Sequence, residues 1–322
     1  MASSSAAPMP AVAHDFSPFF RVYEDGSVER MTIEEQIPAS FDSCTGVTSK
    51  DISISADVPA RLYLPKIAAA ASPNKLPLVV YFRGGGFCMM SLSTPILHNH
   101  LNAFAAASNV VLLHVNYRRA PEHRIPVPYE DSWAAVEWAA SHRGGDGPEP
   151  WLADHVDFDR VFLAGESAGA NIAHNLAMRA AERELPGGVR LSGIVLVQPY
   201  FWGTESTPSA EANPEMTAKL DRLWPMLCPT SASGNDDPRV NPVAPGAPSL
   251  AGLGCERVLV CAAEKDAMRD WARIYYEALR RSGWRGEAEM YESAGEDHGF
   301  YLHDPDGENA SLLLGRIAAF LS

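Results

Sequence analysis

Val161-Phe-Leu-Ala-Gly165-Glu166-Ser167-Ala168-Gly169-Ala170 joins an apolar run to a segment with helical spacing, with a Gly-x-Ser-x-Gly turn at the junction. A strand that turns sharply into a helix lifts the intervening serine onto a bend, its hydroxyl exposed above the sheet. The glycines are then needed because neighbouring chains approach too closely for a Cβ. The same residues also fit a tight glycine turn in which the serine merely caps a helix start. The surrounding sequence has to choose between the two.

Short continuous apolar runs recur at Leu78–Phe82, Val110–Val115, Ile194–Val197 and Val258–Ala262, with a weaker one at Ala288–Tyr291. Runs of this type suit parallel strands covered on both faces. Helical spacing separates most of them, at Glu130–Ser141, Ala168–Arg183 and Trp271–Arg281. Upstream, Asp51-Ile-Ser-Ile-Ser55 alternates apolar and polar residues, and Ala60-Arg-Leu-Tyr-Leu64 follows; these predict an antiparallel pair with one wetter face. The whole predicts an α/β fold with a mostly parallel, eight-stranded sheet flanked by helices. Residues 1–15 read as a flexible tail, residues 16–322 as a single domain, and Ile67 to Lys75 as a low-complexity loop. Gly203 to Leu250 is rich in Pro, Ser, Asn and Asp, with one short helical piece near Glu215–Met226. A long strand-poor insertion of this type reads as a lid over a site.

The loop Arg83-Gly84-Gly85-Gly86-Phe87 directly follows the run Leu78–Phe82. Glycines leave backbone N–H groups free to point at a ligand oxygen, and acyl transfer needs donors aimed where a carbonyl becomes an oxyanion. The N–H groups of Gly85, Gly86 and Ala168 are the candidates. Phosphate cradling is disfavoured, because the loop matches neither G-x-G-x-x-G nor a P-loop with its Lys-Ser/Thr.

A nucleophilic serine needs a base, and the base an orienting carboxylate. Val258-Leu-Val-Cys-Ala-Ala-Glu264-Lys-Asp266 offers two acids just past a late strand. Gly295-Glu296-Asp297-His298-Gly299-Phe300 supplies an imidazole soon after Ala288–Tyr291, in a glycine-flanked loop. His98, His100 and His174 fall on helical segments and read as packing or surface residues.

Composition narrows the remaining classes. Of 322 residues, 46% are apolar, enough for a sizeable core, and Lys+Arg 26 against Asp+Glu 40 gives a net charge of −14. That balance repels phosphate backbones, and no Lys/Arg run exceeds a pair, so nucleic acid is not an expected partner. No apolar stretch approaches the roughly 18 residues of a membrane span. The first 13 residues lack the basic start and apolar run of a secretory signal. Five scattered cysteines read as reduced thiols of an intracellular chain, and no Cys/His group has metal-ligand spacing.

Together these residues resemble the plant carboxylesterases of the hormone-sensitive-lipase-like branch of the α/β-hydrolase fold. That group also contains gibberellin receptors and 2-hydroxyisoflavanone dehydratases. The resemblance runs from Phe16 through Arg21-Val-Tyr-Glu-Asp-Gly26 to the C-terminal helix. It rests on Asn116-Tyr-Arg-Arg-Ala-Pro-Glu-His123, Pro128-Tyr-Glu-Asp131-Ser-Trp133, Gly165–Gly169 and Asp237-Pro-Arg-Val-Asn-Pro242. Lys265-Asp266-Ala-Met-Arg-Asp270 and Asp297-His298-Gly-Phe300 complete it.

The resemblance implies Ser167 as nucleophile, His298 as base and Asp266, rather than Glu264, as the orienting acid. It implies lid elements at 16–45 and 203–250 that shape the acyl and alcohol pockets. The implied activity is hydrolysis of small-molecule carboxylic esters, without cofactor or metal, in the cytoplasm, with the nucleus as a second compartment. Two alternatives come with the family. A dehydratase would promote elimination in the same pocket, and Ser167 favours hydrolysis because such relatives can carry Thr there. A hormone receptor on this fold lacks the catalytic His, whereas His298 is present. One position departs from the pattern: the glycine loop of the family normally begins with His, and here it begins with Arg83. A guanidinium only donates. Arg83 therefore either braces the loop through different hydrogen bonds, offers a cation to an acidic substrate group, or is a replacement without functional effect.

Overall fold

A computed structural model describes residues 10–31, 35–66 and 75–322. Residues 1–9 of the expected tail, 32–34 of the expected lid and 67–74 of the low-complexity loop lie outside the described residues. By its internal contacts the chain divides into two compact units, Met1–Glu34 and Glu35–Ser322.

The first unit is a three-stranded antiparallel sheet of β1 (Val12–Phe16), β2 (Phe20–Tyr23) and β3 (Val28–Arg30), in that spatial order. Phe16 pairs with Phe20, and their rings stack with centroids 5.1 Å apart. Residues 12–15, expected in the tail, therefore belong to a strand. Cross-strand pairing with β2 satisfies the backbone there. Gly26, at φ 83°, closes the turn between β2 and β3.

In the second unit, β4 (Thr48–Ser53), β5 (Pro59–Leu64), β6 (Leu76–Phe82), β7 (Val111–Val115), β8 (Val156–Glu166), β9 (Leu191–Val197), β10 (Cys255–Ala263) and β11 (Glu287–Ser293) form one sheet. Their order is β11-β10-β9-β8-β6-β7-β5-β4. Every pair from β7 through β6 to β11 is parallel, and β4 and β5 form the antiparallel edge. This is the mostly parallel eight-stranded sheet that the apolar runs predict.

Side chains alternate between two buried faces. Val79, Tyr81, Leu112, Phe162, Val195 and Leu259 share one core with Leu97, Leu101 and Phe104 of the helix Pro95–Ser108. Leu313, Ile317 and Phe320 of the helix Glu308–Leu321 close the same core. On the other face the helix Ala168–Glu182 packs on β8 and β9 through a buried side that includes Ile172 and Leu176. Because the central strands are parallel, the loops after β6, β8, β10 and β11 all leave from one edge, the usual place for a site in such sheets.

Candidate active site

Ser167 follows β8 directly and precedes the helix Ala168–Glu182. Its backbone is left-handed in φ (53°) with ψ −117°, a sparsely populated conformation for a residue with a side chain. Surrounding bonds hold it there: Ser167 N–H donates to the Val197 carbonyl at 2.9 Å, and its carbonyl accepts from Tyr200 at 3.0 Å and Asn171 at 3.1 Å. The flanking glycines are required by close approach. A Cβ on Gly165 would lie 2.6 Å from the Phe82 carbonyl oxygen, and one on Gly169 would overlap that same oxygen. The turn thus nests against the end of β6, which a simple helix cap would not demand.

The glycine loop leaves the end of β6 beside this turn. Gly85 and Gly86 have φ of 79° and 58°, and among the described residues the Gly85, Gly86 and Ala168 N–H groups donate to no other acceptor. Gly86 faces Leu223, and Phe87 packs edge-on to Trp224, with ring centroids 6.3 Å apart. Both partners lie on the helix Pro214–Leu227, so the insertion 203–250 reaches the loop. Asn171 adds a second tie, donating to the Arg239 carbonyl at 2.7 Å and accepting from Tyr129 at 2.6 Å.

Arg83 is fully buried, with 0% exposure. Its Nη2 donates to the Tyr117 carbonyl at 2.8 Å, its Nε to the Met90 carbonyl at 3.0 Å, and its guanidinium lies 3.9 Å from the Tyr117 ring centre. Tyr117 returns a hydrogen bond from its hydroxyl to the Arg83 carbonyl at 2.8 Å. Of the readings open for Arg83, this geometry is that of a loop brace. A fully buried guanidinium does not present its charge to a ligand.

His298 and Asp266 come from loops after β11 and β10. His298 Nδ1 is 2.7 Å from Asp266 Oδ2, while Asp266 Oδ1 accepts the Met268 N–H at 2.9 Å. Glu264 instead accepts the Gly295 N–H at 2.6 Å, so Asp266 is the acid on the imidazole. Burial disfavours the His298 cation, but the charge of Asp266 and its hydrogen bond outweigh that and raise the imidazole above its ordinary pKa. The Gly299 N–H donates to Gln198 Oε1 at 2.6 Å, fixing the next residue of the loop. Between Ser167 Oγ and His298 no hydrogen bond forms among the described residues; such contacts commonly tighten only with substrate bound.

Four neighbours of the site were given no role from the sequence: Glu166 and Tyr117, which stand inside quoted motifs, and Asn171 and Gln198, which do not. A carboxylate ending a buried strand, as Glu166 does, is the one clue that was readable. His98, His100 and His174 pack inside the fold: His174 meets the Tyr275 hydroxyl at 3.1 Å, His98 lies between Arg61 and Tyr63, and the His100 ring lies 5.0 Å from that of Tyr301. Among the described residues no group of three His, Cys, Asp or Glu side chains could hold a metal, and no helix is long and apolar enough to cross a membrane. A surface cavity of about 590 Å³ lines the start of β10 and β11 at Cys255 and Glu287, the sheet edge opposite Ser167.

A family model described as alpha/beta hydrolase fold matches residues 79–302. The chain is 41% identical to 2-hydroxyisoflavanone dehydratase of Glycyrrhiza echinata, covering 99% of each protein. It is 43% identical to probable carboxylesterase 13 of Arabidopsis thaliana, over 96% of this chain and 98% of that one. Among solved structures, the esterase of Pyrobaculum calidifontis superposes with a TM-score of 0.68 at 29% identity, covering 85% and 84% of the two chains.

Proposed function

The chain belongs to the plant carboxylesterase family of the hormone-sensitive-lipase-like branch of the α/β-hydrolase fold, and we propose that it is a serine carboxylesterase for small-molecule esters. The observation that carries this reading is the His298–Asp266 hydrogen bond, on the same sheet edge as a strained Ser167 and an open glycine loop.

In the proposed cycle Asp266 holds His298 in the tautomer with Nδ1 protonated, leaving Nε2 to accept the Ser167 proton. Ser167 Oγ attacks the ester carbonyl, and the N–H groups of Gly85, Gly86 and Ala168 receive the developing oxyanion. His298 returns the proton to the leaving alcohol. Water then attacks the acyl-enzyme with the same base, releasing the acid. No cofactor or metal enters these steps. The insertion 203–250 serves as a lid that shapes the pocket; the contacts of Leu223 and Trp224 with the loop support this. The lid reading of 16–45 and the cytoplasmic location belong to the same proposal.

Incubation with p-nitrophenyl acyl esters, comparing the wild type with Ser167→Ala, tests the reading. Turnover that is lost in the variant supports it, and a wild type without ester turnover defeats it. The identity to 2-hydroxyisoflavanone dehydratase of Glycyrrhiza echinata favours one second reading, elimination in the same pocket. Elimination needs the base and the oxyanion donors but no acyl-enzyme, so it would survive Ser167→Ala far better than hydrolysis.

A further inference from the structure

Three successive glycines, Gly84 to Gly86, give the oxyanion loop the greatest backbone freedom of any tripeptide, yet its donors must be fixed to within tenths of an ångström. Arg83 and Tyr117 brace one side of the loop. The other side meets Glu166, the residue immediately before the nucleophile. Glu166 is 3% exposed, and its Oε1 accepts the Gly84 N–H at 2.7 Å. Its Oε2 accepts the Tyr81 hydroxyl. The backbone fits the same contact: a Cβ on Gly84 would lie 2.9 Å from the Glu166 carbonyl oxygen and 3.2 Å from Ser167 Cβ.

We propose that Glu166 is a positioning residue that pins the glycine loop to the nucleophile turn, so that the Gly85 and Gly86 donors keep a fixed offset from Ser167 Oγ. This rests on the esterase reading above and deepens it. Because Glu166 and Ser167 are consecutive, any shift of the turn carries the clamp with it, and the donors follow the nucleophile. A carboxyl group suits the task, since Oε1 accepts the Gly84 N–H in either state, while Oε2 accepts the Tyr81 hydroxyl when ionised and donates to its oxygen when protonated. Burial pushes the Glu166 pKa up to about 8, which keeps the group largely neutral near pH 7.

The amide of Glu166→Gln retains an acceptor oxygen, Glu166→Ala removes it, and Glu166→Met fills the same space without it. The assay compares steady-state hydrolysis of p-nitrophenyl acetate with inhibition by an aryl trifluoromethyl ketone, whose adduct on serine carries the oxyanion. Glu166→Ala is expected to lose about 10- to 100-fold in kcat and a similar factor in ketone affinity, as small misplacements cost elsewhere. Its KM should stay within about 3-fold of wild type, as for an interaction made only in the transition state. Glu166→Gln should restore both quantities, a rescue that a loss of general stability would not produce. If Glu166→Ala does not fold, Glu166→Met carries the same expectation. Acceptor-free variants with wild-type kcat and ketone affinity would overturn the inference, as would a Glu166→Gln as impaired as they are. A wild type that neither turns over the ester nor binds the ketone would instead defeat the esterase reading itself.

Discussion

Asp266 and His298 meet at 2.7 Å, across loops that follow neighbouring parallel strands, while Glu264, two residues earlier, binds the backbone of Gly295. The sheet sets this pairing. β10 and β11 run side by side in register from Arg257↔Glu287 to Ala263↔Ser293, so their ends deliver the two loops together. Asp266 is 3% exposed, and a carboxylate there finds its compensation in the imidazole and the Met268 N–H.

Asp266→Asn should lower kcat on p-nitrophenyl esters by three to four orders of magnitude, roughly the cost of the wrong tautomer in serine hydrolases. The pH profile gives the second readout. In the proposed cycle activity requires neutral His298, whose pKa is raised because Asp266 outweighs burial. The acid limb of the wild type should therefore lie above the ordinary imidazole pKa. In Asp266→Asn burial is no longer opposed, and the limb should move to lower pH. Glu264→Gln should leave both the rate and the limb in place.

Gly169→Ala should destabilise the fold by about 3 kcal/mol or more, at the upper end of what overpacking costs. The added methyl would collide with the backbone of Phe82, which cannot rotate away as a side chain could. Urea denaturation against wild type measures this. A loss below about 1 kcal/mol would mean that the nucleophile turn does not nest against β6 as described.

Arg83→His restores the residue usual in the family but cannot reach the several carbonyls that the guanidinium serves. It should lower the thermal midpoint while leaving the ranking of neutral and acidic esters unchanged, because the Arg83 charge is buried. A selective loss of activity on acidic esters would return the cation to substrate binding.

Glu166 also makes a stability prediction. Its folded pKa, pushed up to about 8 by burial, lies above that of the unfolded chain. Between about pH 4.5 and 8 the folded state holds a proton that the unfolded state releases, so this residue's contribution to stability falls as pH rises. Glu166→Gln removes that dependence. The stability of wild type relative to Glu166→Gln should decline from pH 5 to pH 8, with a slope approaching about 1.4 kcal/mol per pH unit. Urea midpoints that run parallel across this range would contradict the raised pKa of Glu166.

The central sheet was legible because buried parallel strands write continuous apolar runs. The Ser167 turn was legible because close approach forces glycine at Gly165 and Gly169. Where chemistry depended on loop trajectory, spacing failed. Glu264 and Asp266 both stand just past β10, and only the paths of the two loops separate them; family likeness, not pattern, pointed to Asp266, the one that meets the imidazole. For Arg83 the sequence left a brace, a substrate cation and a replacement without effect all open, because the carbonyls that meet its guanidinium come partly from β7 and Tyr117, distant along the chain. The small sheet of β1 to β3 was missed because strands of three to five residues carry too few alternations to register. Glu166 was passed over as the variable position of a motif, although an acid at the end of an apolar strand needs a partner.

The most direct test is mass spectrometry after brief exposure to a serine-directed fluorophosphonate, with the adduct mapped by proteolysis. A single stoichiometric adduct on Ser167, absent from Ser167→Ala and much slower to form in His298→Ala, is expected if Ser167 is the nucleophile and His298 its base. An unlabelled wild type, or an adduct that forms at the same rate without His298, would contradict it.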